Sequence, residues 1–248
     1  MKTFFYRFYQ YVVALPLFLI ATLLTALSTS LGSIVGNHKF WGYRPGRLWG
    51  RFTCWIFLLP VEIERHASIE EGRSYIFVAN HQSAMDIFLV YGYLGHNFKW
   101  MMKQALRKVP FVGYACEKGR HIFVDRSSVH KIEQTIEKAR HTLQEGMSLM
   151  VFPEGSRTRT GRMNSFKKGA YQLAEELQLP IVPITIDGAF DVFPRGKGYC
   201  FLRRHKLRLV LHTPIAPPSK EEGNLRQIMD ESRRIINSAL PVAYQDNK

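Results

Sequence analysis

Between Arg7 and Lys39 the chain carries no lysine, arginine, aspartate or glutamate, and the middle of this stretch runs Val12-Val13-Ala14-Leu15-Pro16-Leu17-Phe18-Leu19-Ile20, with Leu23, Leu24 and Leu27 following. It exceeds the roughly 20 apolar residues that carry a helix across a bilayer. Three forms fit: a spanning helix, a hairpin or monotopic insertion, and a cleaved secretory signal. The last needs a small-x-small cleavage site, for which Ala26-Leu27-Ser28 is a poor candidate, so the segment is expected to be retained. A second apolar segment, Leu48 to Leu59, is too short to span. As a helix it sets Arg44, Arg47 and Arg51 on one face and Leu48, Phe52, Trp55 and Leu59 on another. Trp41, Trp49 and Trp55 then suit headgroup level and the arginines suit lipid phosphates. An ordinary helix packed on the domain gives the same pattern. Residues 1–60 are therefore expected to form an N-terminal membrane-associating two-helix motif, followed by one domain over 61–248. Lys2 and Arg7 before the long run, against Lys39, Arg44, Arg47 and Arg51 after it, place that domain on the cytoplasmic side.

The domain's pattern alternates short β-branched or aromatic runs with helical periods. Tyr75–Val78, Phe98–Met101, Ile122–Val124, Ser148–Phe152, Ile181–Ile186 and Leu207–Leu211 have the character of strands. Val129, Ile132, Ile136, Ala139 and Leu143 form one stripe of a helix opening near Ser127 or Ser128 and stopping at Gly146, and Leu225, Ile228, Met229, Ile235 and Ile236 mark another. Alternation of this kind predicts an α/β fold, a mixed, largely parallel sheet flanked by helices.

Lysine and arginine number 34 against 20 acids, a formal net charge of +14, which favours an anionic partner without choosing among nucleic acid, lipid, phosphorylated metabolite or acidic carrier protein. Cys54, Cys116 and Cys200 are odd in number and widely separated, which argues against a disulfide framework or a zinc knuckle.

Three strand ends carry polar groups suited to chemistry, where open α/β sheets collect their sites. The first is Asn80-His81-Gln82-Ser83-Ala84-Met85-Asp86: an aspartate five positions after a histidine, in the first turn of the next helix, can reach back to the imidazole and make it a general base. The plainer alternative is a loop histidine beside an acid serving the helix N-terminus. The second is Phe152-Pro153-Glu154-Gly155-Ser156-Arg157-Thr158-Arg159, whose turn exposes backbone amides beside hydroxyl and guanidinium donors suited to a phosphate; a solvated polar loop is the alternative. Phe166-Lys167-Lys168-Gly169 adds positive charge downstream. The third is Gly119-Arg120-His121-Ile122-Phe123-Val124-Asp125-Arg126, where Arg126 binds an anion or pairs with an acid.

Together these motifs, with Val182-Pro183-Ile184 as a short fourth, resemble the glycerophospholipid acyltransferase family over about residues 60–215. The resemblance implies a glycerol-3-phosphate acyltransferase-like fold at the inner, cytoplasmic membrane with the site on its cytosolic face. It implies transfer of a fatty acyl group from a thioester of coenzyme A or acyl carrier protein to the sn-2 hydroxyl of 1-acylglycerol-3-phosphate (lysophosphatidic acid). It further implies His81 as base, Asp86 as its orienting carboxylate, Lys103 with a backbone amide near Gly155 for the oxyanion, and Arg126, Glu154, Gly155, Ser156 and Arg157 around the glycerol phosphate. No metal, no resident cofactor and no nucleic-acid partner are expected. Ser156 stands where a threonine is common and Gln104 where a second lysine often follows Lys103. Three rivals remain: acylation of another lysolipid such as lyso-ornithine lipid; hydrolysis, for which no Gly-x-Ser-x-Gly elbow exists; and a noncatalytic basic membrane-binding protein.

Overall fold

The apolar runs that alternate along the chain become seven strands of one sheet in the computed structural model, which describes residues 2–125, 128–144, 147–196 and 201–246. Arg126, Ser127, Gly146 and Cys200 lie outside the described residues. The strands are β1 (Val61–Arg65), β2 (Ile76–Ala79), β3 (Phe98–Lys103), β4 (Ile122–Val124), β5 (Ser148–Val151), β6 (Ile181–Asp187) and β7 (Leu207–Leu211), in the order β1-β7-β6-β2-β5-β3-β4. All neighbouring pairs are parallel except β6 with β7, so the sheet is mixed and largely parallel as expected. The central strand β2 is buried along its whole length, with Ile76 in register with Leu149 of β5 and Ile181 of β6.

Strand alternation divides the core into two layers. Tyr75, Phe77 and Ala79 face one cluster, and Ile76 and Val78 the other. The first layer is covered by α4 (Arg44–Ile56) and α5 (Met85–Tyr93), the second by α7 (Val129–Gln144), α8 (Gly169–Leu177) and α10 (Asn224–Ser238). Two shorter helices, α6 (Val112–Lys118) and α9 (Ala189–Val192), fill loops beside the sheet.

The N-terminal run is one helix, Thr3–Val35, long and apolar enough to cross a membrane, with 17% of its apolar window buried. It is built of α1 (Lys2–Tyr9) and α2 (Leu15–Val35), which flank a π-helical turn over Gln10–Ala14. Pro16 follows that turn; it offers no N–H to a preceding carbonyl, and a widened turn relieves the clash of its ring. The helix has a protein side. Gln10 is buried, its side chain exchanging 2.9 Å hydrogen bonds with both the N–H and the carbonyl of Leu202. Ala14, Ala26, Thr29 and Ser30 are buried with it, whereas Leu19, Ile20, Leu24, Leu27 and Leu31 are exposed. After Gly36 the chain turns into α3 (His38–Trp41), whose backbone is clamped by Asn97 and Lys99 through Lys39 O and His38 O.

The expectation of two apolar N-terminal helices needs correcting, because among the described residues only the first is long and apolar enough to cross a membrane. The second, α4, buries its small residues, Gly46, Gly50, Thr53 and Cys54, while Leu48 and Trp55 remain exposed and Leu59 is buried beyond the helix end. A Cβ on Gly50 would come within 2.5 Å of Phe88 O and 2.8 Å of Gly92 N, so α4 and α5 meet backbone to backbone there. Gly50→Leu is accordingly expected to destabilise the fold by about 1–3 kcal/mol. Thermal unfolding in detergent would show this as a lowered Tm.

Candidate active site

The site is assembled where β2, β5 and β3 end. Asn80 continues β2 by side chain: its Nδ2 donates to Ile186 O at 2.8 Å and its Oδ1 accepts from Ile186 N at 2.7 Å. That clamp fixes the chain as it leaves the sheet, and His81 follows. His81 Nδ1 lies 2.7 Å from Asp86 Oδ2, and the same oxygen accepts the N–H groups of Gln82 (2.7 Å) and Ser83 (2.9 Å). Asp86 is fully buried in the first turn of α5. Three donors converge on one carboxylate oxygen, so the loop folds around Asp86 and the imidazole is held by Nδ1. An imidazole bonded this way to a carboxylate carries its proton on Nδ1 and leaves Nε2 able to accept one. Among the described residues Nε2 has no hydrogen-bond partner. The ring lies flat against Phe152, with centroids 3.9 Å apart and planes 6° apart, and Phe152 in turn stacks on Trp100 of β3.

The loop after β5 fixes the histidine's backbone. Glu154 Oε1 accepts from His81 N at 2.7 Å, and Thr158 N donates to His81 O at 2.9 Å. Glu154 Oε2 accepts from both the backbone and side-chain nitrogens of Asn164, at 2.8 and 2.9 Å. Burial pushes the Glu154 carboxyl up from 4.5 to about 7; the Asn164 and His81 donors pull it down, and the neighbouring Asp86 adds to the rise. The folded protein thus binds this proton more tightly than an unfolded chain does. Its stabilisation is complete below pH 4.5 and is lost as pH rises through 7, about 3 kcal/mol in all. Glu154→Gln does not titrate. The stability of the wild type relative to Glu154→Gln, from denaturant titrations at about pH 5 and about pH 8, should therefore decline with rising pH.

Gly155 adopts φ +72°, and its N–H closes the turn on Phe152 O at 3.0 Å. The Lys167 side chain crosses over it, since a Cβ at Gly155 would lie 3.2 Å from Lys167 Nζ. Ser156 and Arg157 are half-buried, and Arg195 Nη1 donates to Arg157 O at 3.2 Å. The loop thereby gathers Arg157, Lys167 and Arg195. Lys103 ends β3, two strands from β2, and is exposed. Arg126 lies outside the described residues. Among the described residues no cluster of three or more His, Cys, Asp or Glu side chains could hold a metal ion.

Sequence reasoning missed Asn164 and Arg195, whose bonds no local spacing marks, and Thr158 stood within the second motif without its bond to His81 O. Asn80 and Phe152 stood within the motifs, but only the three-dimensional arrangement gives the first its clamp and the second its stack.

A buried carboxylate holding an imidazole at the carboxyl ends of parallel strands, beside a cationic turn, is an arrangement that can move a proton next to an anionic group. The chain matches the model of the acyltransferase family over residues 60–187, more than half its length, and belongs to that family. It is 28% identical over 233 residues to a 1-acyl-sn-glycerol-3-phosphate acyltransferase of Chlamydomonas reinhardtii, covering 94% of this chain and 68% of that protein. It is 35% identical over 197 residues to a 1-acyl-sn-glycerol-3-phosphate acyltransferase of Cocos nucifera, covering 79% of this chain and 63% of that protein. A chloroplastic enzyme of the same name from Arabidopsis thaliana is 32% identical over 170 residues; the match spans 68% of this chain and 47% of that protein. The crystal structure of the 1-acyl-sn-glycerophosphate (LPA) acyltransferase, PlsC, from Thermotoga maritima superimposes with a TM-score of 0.76 and 25% identity, covering 96% of this chain and 95% of that one.

Proposed function

We propose that this chain transfers a fatty acyl group from an acyl thioester, carried by coenzyme A or acyl carrier protein, to the sn-2 hydroxyl of 1-acylglycerol-3-phosphate, giving phosphatidic acid. The observation that carries the reading is the 2.7 Å contact between His81 Nδ1 and the buried Asp86, in a chain of the acyltransferase family. His81 Nε2 takes the proton of the acceptor hydroxyl as its oxygen attacks the thioester carbonyl carbon. The imidazolium, steadied by Asp86, then returns that proton to the departing thiolate as the C–S bond breaks. No acyl-enzyme is required, because a thioester is already activated. Lys103 and a backbone amide near Gly155 steady the tetrahedral oxyanion. Arg126, Ser156 and Arg157, joined by Lys167, hold the phosphate. Glu154 is a positioning residue: buried and engaged by His81 N and Asn164, it acts on the base rather than on the acceptor.

Residues 1–60 form the membrane-associating unit of this reading and 61–248 its catalytic domain. The buried polar side of the long N-terminal helix at Gln10, Thr29 and Ser30, against its exposed leucines, supports that one helix lying in the membrane with the domain against it, and Leu48 and Trp55 of α4 stand exposed beside it. The setting is the cytosolic face of the inner membrane, where a lysolipid need leave the leaflet only in part. The test offers purified protein a panel of acceptors with acyl-coenzyme A and acyl carrier protein thioesters. Phosphatidic acid from lysophosphatidic acid is the expected product. Acylation of lyso-ornithine lipid alone would overturn the acceptor assignment.

A further inference from the structure

Immediately after Lys103 the chain leaves β3 through a 3-10 turn (Gln104–Lys108) and reaches α6, with every residue from Ala105 to Phe111 exposed. Four apolar side chains stand in solvent within nine positions: Leu106 is 43% exposed, Val109 41%, Phe111 64% and Tyr114 52%. Single exposed apolar residues are ordinary, but a run of this density rimmed by cations marks a contact surface. The rim is Arg107, which pairs with Glu117, exposed Lys108, and Lys118, whose Nζ lies 5.2 Å from the Tyr114 ring centroid.

The segment is also built stiffly. Val112 N donates to Pro110 O at 2.6 Å across Phe111, whose φ is +60° and ψ −47°, a γ-turn of the rare and strained hand. Gly113 N and Ala115 N bond back to Val109 O and Phe111 O at 2.8 and 3.0 Å, and a Cβ on Gly113 would strike Arg107 O at 2.1 Å. A strained turn held this firmly keeps an aromatic ring outward in place of a buried position. The opposite side of α6 is covered: Val112, Ala115 and Cys116 line one narrow cavity with Thr22, Thr25 and Thr29 of α2. The segment is thus seated beside the N-terminal helix, with α6 packed against α2.

We infer that residues 106–118 form a separate lipid-contacting knuckle on the catalytic domain, inserting Leu106, Val109, Phe111 and Tyr114 among the acyl chains of an anionic leaflet, with Lys108 and Lys118 at its phosphates. Because the knuckle begins at the end of β3, its depth in the leaflet sets the height of Lys103 and the site above the membrane. This rests on the membrane reading above.

The experiment uses the full chain on vesicles of phosphatidylcholine and phosphatidylglycerol, with and without dibrominated chains. Tryptophan placed by Phe111→Trp is expected to add fluorescence, over the native tryptophans, that brominated lipid quenches; this readout needs no turnover. Phe111→Ser/Tyr114→Ser is expected to raise KM for vesicle-borne lysophosphatidic acid about tenfold or more, with KM for a short-chain soluble acceptor and kcat unchanged. An unquenched tryptophan together with an unchanged KM overturns the inference. So does a loss confined to acyl carrier protein as donor, which would make the knuckle a protein-docking surface. Absence of turnover in the wild type while the tryptophan is quenched would sink the assigned reaction and leave the knuckle standing.

Discussion

His81→Ala should lower kcat by about two to four orders of magnitude while leaving the protein folded, because general-base assistance is worth roughly 10²–10⁴ and no other histidine shares this strand end. The ring is bounded by Phe152 and Asp86 and is partly open to solvent, with 16% of the side chain exposed. Removing it leaves Asp86 with two backbone donors, Gln82 N and Ser83 N, so the loop keeps its shape. Circular dichroism and vesicle binding should match the wild type. A loss of less than tenfold in a correctly folded variant would mean that the proton goes elsewhere.

The second large effect is that of Asp86→Asn, for which the hydrogen-bond pattern makes a sharp forecast. All three donors converge on Oδ2, whereas Oδ1 is buried and accepts no hydrogen bond. Gln82 N and Ser83 N therefore compel an asparagine to put its carbonyl oxygen at the Oδ2 position. Its NH2 falls in the buried, unpartnered position of Oδ1, at a cost of about 1–3 kcal/mol in stability. The ring keeps its tautomer and orientation but loses the negative charge that steadies the imidazolium, and kcat should fall by about two to three orders of magnitude. KM for the acceptor should change little. Asp86→Ala adds a larger stability loss, because it strips three N–H groups of their acceptor. The double variant His81→Ala/Asp86→Asn should be no slower than His81→Ala alone, since the carboxylate acts through the ring.

The sheet was legible in the sequence wherever strands are buried on both faces. The run Ile181–Ile186 stops one residue short of the observed strand and Tyr75–Val78 is offset by one residue from the observed Ile76–Ala79, because continuous β-branched and aromatic runs have few other uses. The edge strand β1 was not found: Val61-Glu62-Ile63-Glu64-Arg65 is short, alternates with charge, and is fixed by pairing with β7 far along the chain. On α4 the apolar stripe suggested one face, but close packing against α5 selected the glycines and left Leu48 and Trp55 outside. Burial follows shape there rather than hydropathy. At the site, the His81–Asp86 pair is local and could be written from spacing. The grip of Glu154 on His81 N joins residues 73 positions apart, and Asn164 reaches Glu154 across a turn of no distinctive composition. Motifs placed the functional groups at strand ends; the bonds that hold them still belong to tertiary structure.

The most direct trial of the base assignment follows product by mass spectrometry when purified wild type and His81→Ala are each given lysophosphatidic acid and an acyl thioester in anionic vesicles. Phosphatidic acid should accumulate with the wild type, in step with free thiol, and fall to background with the folded variant. Equal phosphatidic acid from both proteins would contradict the account.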